Sequence, residues 1–182
     1  KRLWRNLGNG NFEEIDIGSV KTDPADQSTC WVDFNNDGFL DLFVVNRAGT
    51  GNGLYLNNGN TNHWLEVKLR GMVSDRMAVG AKIFATATIR GQVMRQMRVI
   101  TASDAEQTLV AHFGLGDATN VDLVRIEWPS GIVQVLTNVP PKQFLSVTED
   151  GVGILPYWQA LVVSSNLTVR AATTLPQPVL YQ

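Results

Sequence analysis

One cysteine, two histidines and a charged fraction of 18% are all that this 182-residue chain offers to most catalytic schemes. Cys30 alone cannot form an internal disulfide, so cysteine usage carries no sign of an oxidising compartment. Beside Trp31 in an apolar stretch, it reads as a small buried hydrophobe and not a reactive thiol. No Cys/His spacing suits zinc, and no Gly-x-Ser-x-Gly elbow is present. His63 and His112 each sit at a strand start or end, where packing or turn bonding is expected in place of acid–base work. Asp104 and Glu106 resemble a glycosidase carboxylate pair only in type; at i and i+2, without support, they read as solvated acids. No catalytic residue is assigned, and the chain is read as not an enzyme. A net charge of −2 favours neither nucleic acid nor an anionic membrane. No apolar run is long enough to span a bilayer, so membrane insertion is not expected. No signal peptide is visible, and Lys1 in place of an initiator Met suggests a processed chain or a fragment. Nor does any segment sustain a helical period.

What the chain does hold is oxygen at a regular interval. The run Asp33-Phe34-Asn35-Asn36-Asp37-Gly38-Phe39-Leu40-Asp41 puts side-chain oxygens at positions one, three, five and nine, with glycine at six. Asp33, Asn35, Asp37 and Asp41 offer side-chain ligands and Phe39 a backbone carbonyl, an all-oxygen shell that suits Ca²⁺. Gly38 permits a sharp turn that a Cβ would resist. Position twelve is Val44, where an EF-hand has a bidentate Glu, and Asn35 lowers the ligand charge by one. Cys30-Trp31-Val32 and Leu42-Phe43-Val44-Val45 read as short strands on either side. The expectation is a structural calcium loop inside a β-hairpin; the alternative is an Asp/Asn/Gly turn with no ion. The ion would tie one strand end to the next and neutralise Asp33, Asp37 and Asp41. Trp31, Phe39, Leu42 and Phe43 are expected to pack the hairpin on its neighbours. A loop lacking the tight-binding Glu fills most readily where calcium is abundant, which points outside the cytoplasm.

An internal echo frames that loop. Leu3-Trp4-Arg5-Asn6-Leu7-Gly8-Asn9-Gly10 returns as Leu54-Tyr55-Leu56-Asn57-Asn58-Gly59-Asn60, roughly fifty residues on, near the period of propeller repeats. Each copy reads as a strand ending in an Asn/Gly turn of the tight-hairpin kind. Leu-aromatic-x-Asn-x-Gly-x-Gly-x-Phe over 3–12, followed by Trp31-Val32 and the Asp33 to Leu42 run, resembles the FG-GAP/VCBS repeat. That resemblance implies a blade of a calcium-bearing β-propeller, as in integrin α-subunits and secreted bacterial proteins. The family usually has Asp where this chain has Asn35, and often a polar residue at Phe39. One blade cannot close a propeller, because its sheet would leave edges and an apolar face exposed. Either further blades precede Lys1 or this one packs on something else.

From His63 the pattern becomes a series of alternating strands. Trp64-Leu65-Glu66-Val67-Lys68-Leu69 alternates apolar with charged. Ile83, Ala85, Ala87 and Ile89 share a face, as do Val93, Met97 and Val99 with Arg95 between them. Val124, Ile126 and Trp128 run into a Pro129-Ser130-Gly131 turn that returns through Val133 and Val135, and a last strand covers 144–148. Six or seven short strands argue a β-sandwich or barrel. His63-Trp64-Leu65-Glu66-Val67-Lys68-Leu69-Arg70-Gly71, Val79-Gly80-Ala81, His112-Phe113-Gly114-Leu115-Gly116 and Trp128-Pro129-Ser130-Gly131 together are similar to the ASPIC/UnbV domain. That domain typically follows FG-GAP/VCBS repeats in secreted proteins. Met77 departs from its usual polar residue, and 101–107 lacks its Gly-Tyr-Leu-Ser-Gln-like run.

The segment 150–182 has Pro156, Pro176 and Pro178 around an alternating stretch and reads as one strand and an extended tail. Asn166-Leu167-Thr168 is a glycosylation acceptor pattern, meaningful in a secretory setting. Arg70, Arg76, Lys82, Arg90, Arg95 and Arg98 precede the acids Asp104, Glu106, Asp117, Asp122 and Glu127. They form either a basic strip for acidic glycans or charges that pair across neighbouring strands, and pairing accounts for both halves together. The whole reads as all-β: a partial propeller-like blade with its calcium loop (1–61), a β-sandwich or barrel (62–149) and a C-terminal strand with tail (150–182). The expected function is a secreted or surface, calcium-stabilised, non-catalytic binding or structural module. Its partner would be a protein or a glycan, or another copy joined through exposed strand edges. The alternatives are an extracellular assembly or fibre subunit that exchanges strands, and an accessory glycan-binding module of a secreted enzyme.

Overall fold

The computed structural model describes residues 3–16, 28–45, 51–102, 109–151, 161–163 and 169–171, and all regular structure among them is β. The chain divides into two compact units, Lys1–Glu149 and Asp150–Gln182.

In the first unit, β1 (Leu3–Gly8) and β2 (Asn11–Ile15) form an antiparallel hairpin. Its Asn9-Gly10 turn takes φ of 52° and 79°, the left-handed pair whose twist matches a two-residue hairpin. β3 (Ser28–Val32), β4 (Asp41–Val45) and β5 (Gly53–Tyr55) make a three-stranded antiparallel sheet in that order. Val44 is buried there, whereas Trp31, expected to pack, stays 44% exposed. The second copy of the Leu-aromatic motif does not repeat the hairpin. β5 stops at Tyr55, and the Asn57 N–H, which a further strand would need for pairing, donates instead to Asp41 Oδ1 at 2.7 Å.

The remaining seven strands of this unit form a sandwich. They are β6 (His63–Arg70), β7 (Lys82–Ile89), β8 (Gln92–Val99), β9 (Val110–Gly116), β10 (Val121–Glu127), β11 (Val133–Val139) and β12 (Gln143–Thr148). One sheet runs β12-β6-β9 and the other β11-β10-β7-β8. Alternation turns Leu65, Val67 and Leu69 of β6 and Ile83 and Ala85 of β7 inward, and they share one buried core with Phe113, Leu115, Val124 and Ile126. β12 pairs with β6 in parallel while every other pair in the sandwich is antiparallel.

The two outer strands of the larger sheet reverse the expected phase. Val133 and Val135 point to solvent, as do Val93, Met97 and Val99; Val93 is 73% exposed. Beside Met94 and Leu136, their inward neighbours are polar: Gln96 and Arg98 stand opposite Ala85 and Ile83, and Gln134 opposite Ile126. These side chains bridge the two sheets along their open sides. Gln96 Nε2 donates to the Gly114 carbonyl at 2.6 Å and Arg98 Nε to the His112 carbonyl at 2.9 Å. On the other side Gln134 Nε2 donates to the Thr148 carbonyl at 3.1 Å. Edge carbonyls that would otherwise lack a strand are thus satisfied by side chains.

In the second unit β13 (Leu161–Val163) and β14 (Val169–Ala171) pair antiparallel, so two short strands replace the single one expected. Asp104, Glu106, Pro156, Asn166, Pro176 and Pro178 lie outside the described residues, as does most of 101–107.

Candidate metal centre

The loop 33–40 joins β3 to β4, whose pairing closes at Val32 and Asp41. All four side chains predicted as ligands turn into it. The Asp33 carboxylate accepts the N–H groups of Asp37 at 3.0 Å and Gly38 at 2.7 Å. Asn35 Oδ1 accepts the Asp37 N–H at 3.2 Å, and Asp37 accepts the Phe39 N–H and Asn35 Nδ2, both at 2.8 Å. Asp41, 1% exposed, holds the Phe34 N–H at 3.0 Å and the Asn57 N–H through its other oxygen. These bonds are the Asx-type turns that Asp and Asn favour.

The donor set fits a hard cation in chemistry and in charge. Among the described residues no Lys or Arg pairs with Asp33, Asp37 or Asp41, so three carboxylates share one loop without a counter-charge. Each accepts two bonds of the about four that a carboxylate can take, which leaves capacity for an ion. As the side chains stand on their amides, no three His, Cys, Asp or Glu among the described residues converge into a ready-made metal group. Asp33, Asn35, Asp37 and Asp41, with the Phe39 carbonyl, are the residues that would hold calcium, and the ion would supply charge neutralisation.

The loop is not a free hairpin tip. Gly38, at φ 86°, lies so close to the sandwich that a Cβ would stand 1.7 Å from the Trp64 indole. His112 Nε2–H donates to the Gly38 carbonyl at 3.0 Å. His112 and Glu66 are cross-strand partners on β9 and β6, so the loop covers both. Burial raises the Glu66 carboxyl to about 7, with the Asp33 charge adding to it. Burial also lowers the His112 pKa and outweighs the Gly38 bond. A cleft of about 210 Å³ opens beside this contact, between the loop, the Asn57 to Asn62 turn and His63. His63 Nδ1–H itself donates to the Ala118 carbonyl at 2.6 Å, so both histidines bond to backbone.

A second polar centre has no counterpart in the sequence reading. Because β12 runs parallel to β6, the residue after β12 arrives where the residue after β6 departs, and the Glu149 N–H meets the Arg70 carbonyl at 2.8 Å. Gly71 then turns so tightly that a Cβ would sit 2.0 Å from the Asp75 carbonyl. The turn aims three successive N–H groups at one Glu149 oxygen: Met72 and Val73 at 2.8 Å and Ser74 at 2.7 Å. The other oxygen accepts the hydroxyls of Ser74, at 2.9 Å, and Ser130. Burial by itself would raise the Glu149 pKa, but the Ser130, Ser74 and Met72 donors outweigh it and hold the carboxyl at about 2. Gly71 and Ser130 were visible in their motifs, yet nothing local marks Glu149 as their partner.

A family model described as FG-GAP-like repeat matches residues 1–44, and one described as ASPIC and UnbV matches residues 71–153. The chain carries an FG-GAP-like repeat followed by an ASPIC and UnbV domain. The FG-GAP-like match contains the whole 33–41 loop, and the ASPIC and UnbV match contains every donor of the Glu149 clasp. Trp64 and Glu66, which meet the loop, lie on β6 between the two matches. Both domain types are typical of extracellular or surface proteins. No curated protein matches the chain.

Proposed function

We propose that this chain is a calcium-stabilised, non-catalytic binding and structural module that works outside the cell or at its surface. The observation that carries the reading is the loop of Asp33, Asp37 and Asp41, three carboxylates with no cationic partner among the described residues, seated on Trp64 and His112. An ion there would act as a joint between the FG-GAP-like repeat and the sandwich, removing carboxylate repulsion where the two meet. Thermal melting with calcium, with chelator and in Asp37→Ala tests it. Calcium should raise the midpoint of the native chain by several degrees, and Asp37→Ala should remove the response. An identical midpoint in all three would refute the site.

A second reading is favoured by Trp4, Leu7, Phe12, Leu54 and Leu56, large apolar side chains left exposed on or beside the strands of the repeat. They suit coverage by further blades or by strands of another copy. Light scattering separates these outcomes: a monomer at all concentrations, with and without calcium, would remove strand exchange between copies.

A further inference from the structure

Lys68 and Arg70 lie two residues apart on β6, on the face turned away from the sandwich core. Their neighbours on the adjoining strands offer no relief. Lys68 stands opposite Val110 on β9 and Ser146 on β12, and Arg70 opposite Thr148 on β12, so the described positions directly across from them are neutral. Arg76, from the turn that follows β6, joins them around a pocket of about 400 Å³ completed by Leu69, Met77 and Leu109. Among the described residues none of the three cations forms an ion pair. Pairing across strands, the reading that explained the basic stretch most simply, therefore fails at this place. The acids near them are otherwise engaged: Glu149 in its clasp, Asp75 on the Met77 N–H at 2.9 Å, and Glu66, two residues before Lys68 on the same face, buried where the 33–40 loop covers β6.

Three like charges around one concavity repel in the free protein, and that repulsion is relieved when an anion enters. The volume lies within the range of small-ligand sites, and half of the lining residues are apolar. We infer that this pocket on the ASPIC and UnbV domain binds a small organic anion. The ligand carries two or more carboxylate, sulfate or phosphate groups on a body with an apolar face. Arg70 and Arg76 supply forked donors for the oxyanions and Lys68 a mobile point charge. This site is separate from the metal loop and does not depend on calcium.

Calorimetric titration of the full chain with three probes tests the inference: a sulfated uronic acid disaccharide, an eight-carbon dicarboxylate and inorganic sulfate. At least one organic probe is expected to saturate, to bind more tightly than sulfate, and to weaken as salt rises. Lys68→Gln and Arg76→Gln should each weaken it about tenfold, while Lys82→Gln and Arg90→Gln, surface cations away from the pocket, leave it unchanged. The tighter organic probe identifies whether the source is an acidic saccharide or an aliphatic acid. Absence of saturation by all three up to about 10 mM overturns the inference. So does binding no tighter than that of sulfate, or equal loss in pocket and control variants. Circular dichroism melts of each variant exclude unfolding as the cause of any loss.

Discussion

Replacing Glu149 by Gln probes the clasp with little change of shape. In the native chain a carboxylate 2% exposed accepts three amide N–H groups and two hydroxyls. An amide side chain cannot accept through its nitrogen, so donors would face donors on one side of the clasp. The drop from 4.5 to about 2 corresponds to about 3 kcal/mol. Met72, Val73 and Ser130 are exposed, and solvent screening around the rim reduces that to about 2 kcal/mol. Because the folded pKa is depressed, this stability is fully present above pH about 4.5 and is lost as pH falls toward 2. Urea unfolding followed by tryptophan fluorescence, at a series of pH values, reads the difference between native chain and variant, since Trp64 and Trp128 are buried. The difference should be about 2 kcal/mol at pH 7 and vanish near pH 2. Equal stability at pH 7 would refute the argument, and so would a deficit that persists undiminished at pH 2.

Three further outcomes are expected. Gly38→Ala should lower the melting midpoint by several degrees, because its Cβ would overlap the Trp64 indole in a backbone region that favours glycine; an unchanged melt would show that the loop does not seat there. Glu66→Gln should stabilise the chain at pH 8 by about 2 kcal/mol, since a carboxyl raised to about 7 favours folding below pH 4.5 and loses that advantage as pH rises through 7. A urea series in which native and variant chains respond alike across that window would contradict it. Phe113→Ala, at the centre of the core, should cost about 3–5 kcal/mol in the same assay, and a loss below about 1 kcal/mol would place Phe113 outside the core.

The sequence made the all-β class and most of the sandwich readable because β6, β7 and β10 each carry alternate apolar residues, Leu65/Val67/Leu69, Ile83/Ala85/Ala87 and Val124/Ile126, that are buried together. It misled at β8 and β11. There Val93, Met97, Val99, Val133 and Val135 face outward while Gln96, Arg98 and Gln134 face inward and bond to carbonyls of the opposite sheet. Period two reports that faces differ, not which face is covered, and at an edge strand the answer depends on a neighbour remote in sequence. The 33–41 loop was legible as a run of inward-turned side-chain oxygens because the backbone groups they bond are mostly local. Its seat on Trp64 and His112 and the Glu149 clasp were not, since both join segments far apart in the chain, and the clasp depends on a parallel pairing that no hydrophobic pattern encodes. The basic strip was read from Arg70 onward, without Lys68, and only strand register shows that Lys68 and Arg70 have no acid directly opposite on the strands described.

The seating of Gly38 on Trp64 bears on how far the two domains are interchangeable parts. The sandwich's outer surface at Trp64, Glu66 and His112 is roofed by the repeat's loop, with Phe144 of β12 beside the Trp64 indole at 5.0 Å between ring centroids. A recombinant sandwich cut at His63 would therefore expose an indole and a desolvated carboxyl to water, and a repeat grafted onto another sandwich would need a groove as narrow as a glycine. Transplanting either piece means carrying residues 33–40 and the start of β6 together, so the unit that can be exchanged is the joint and not the domain.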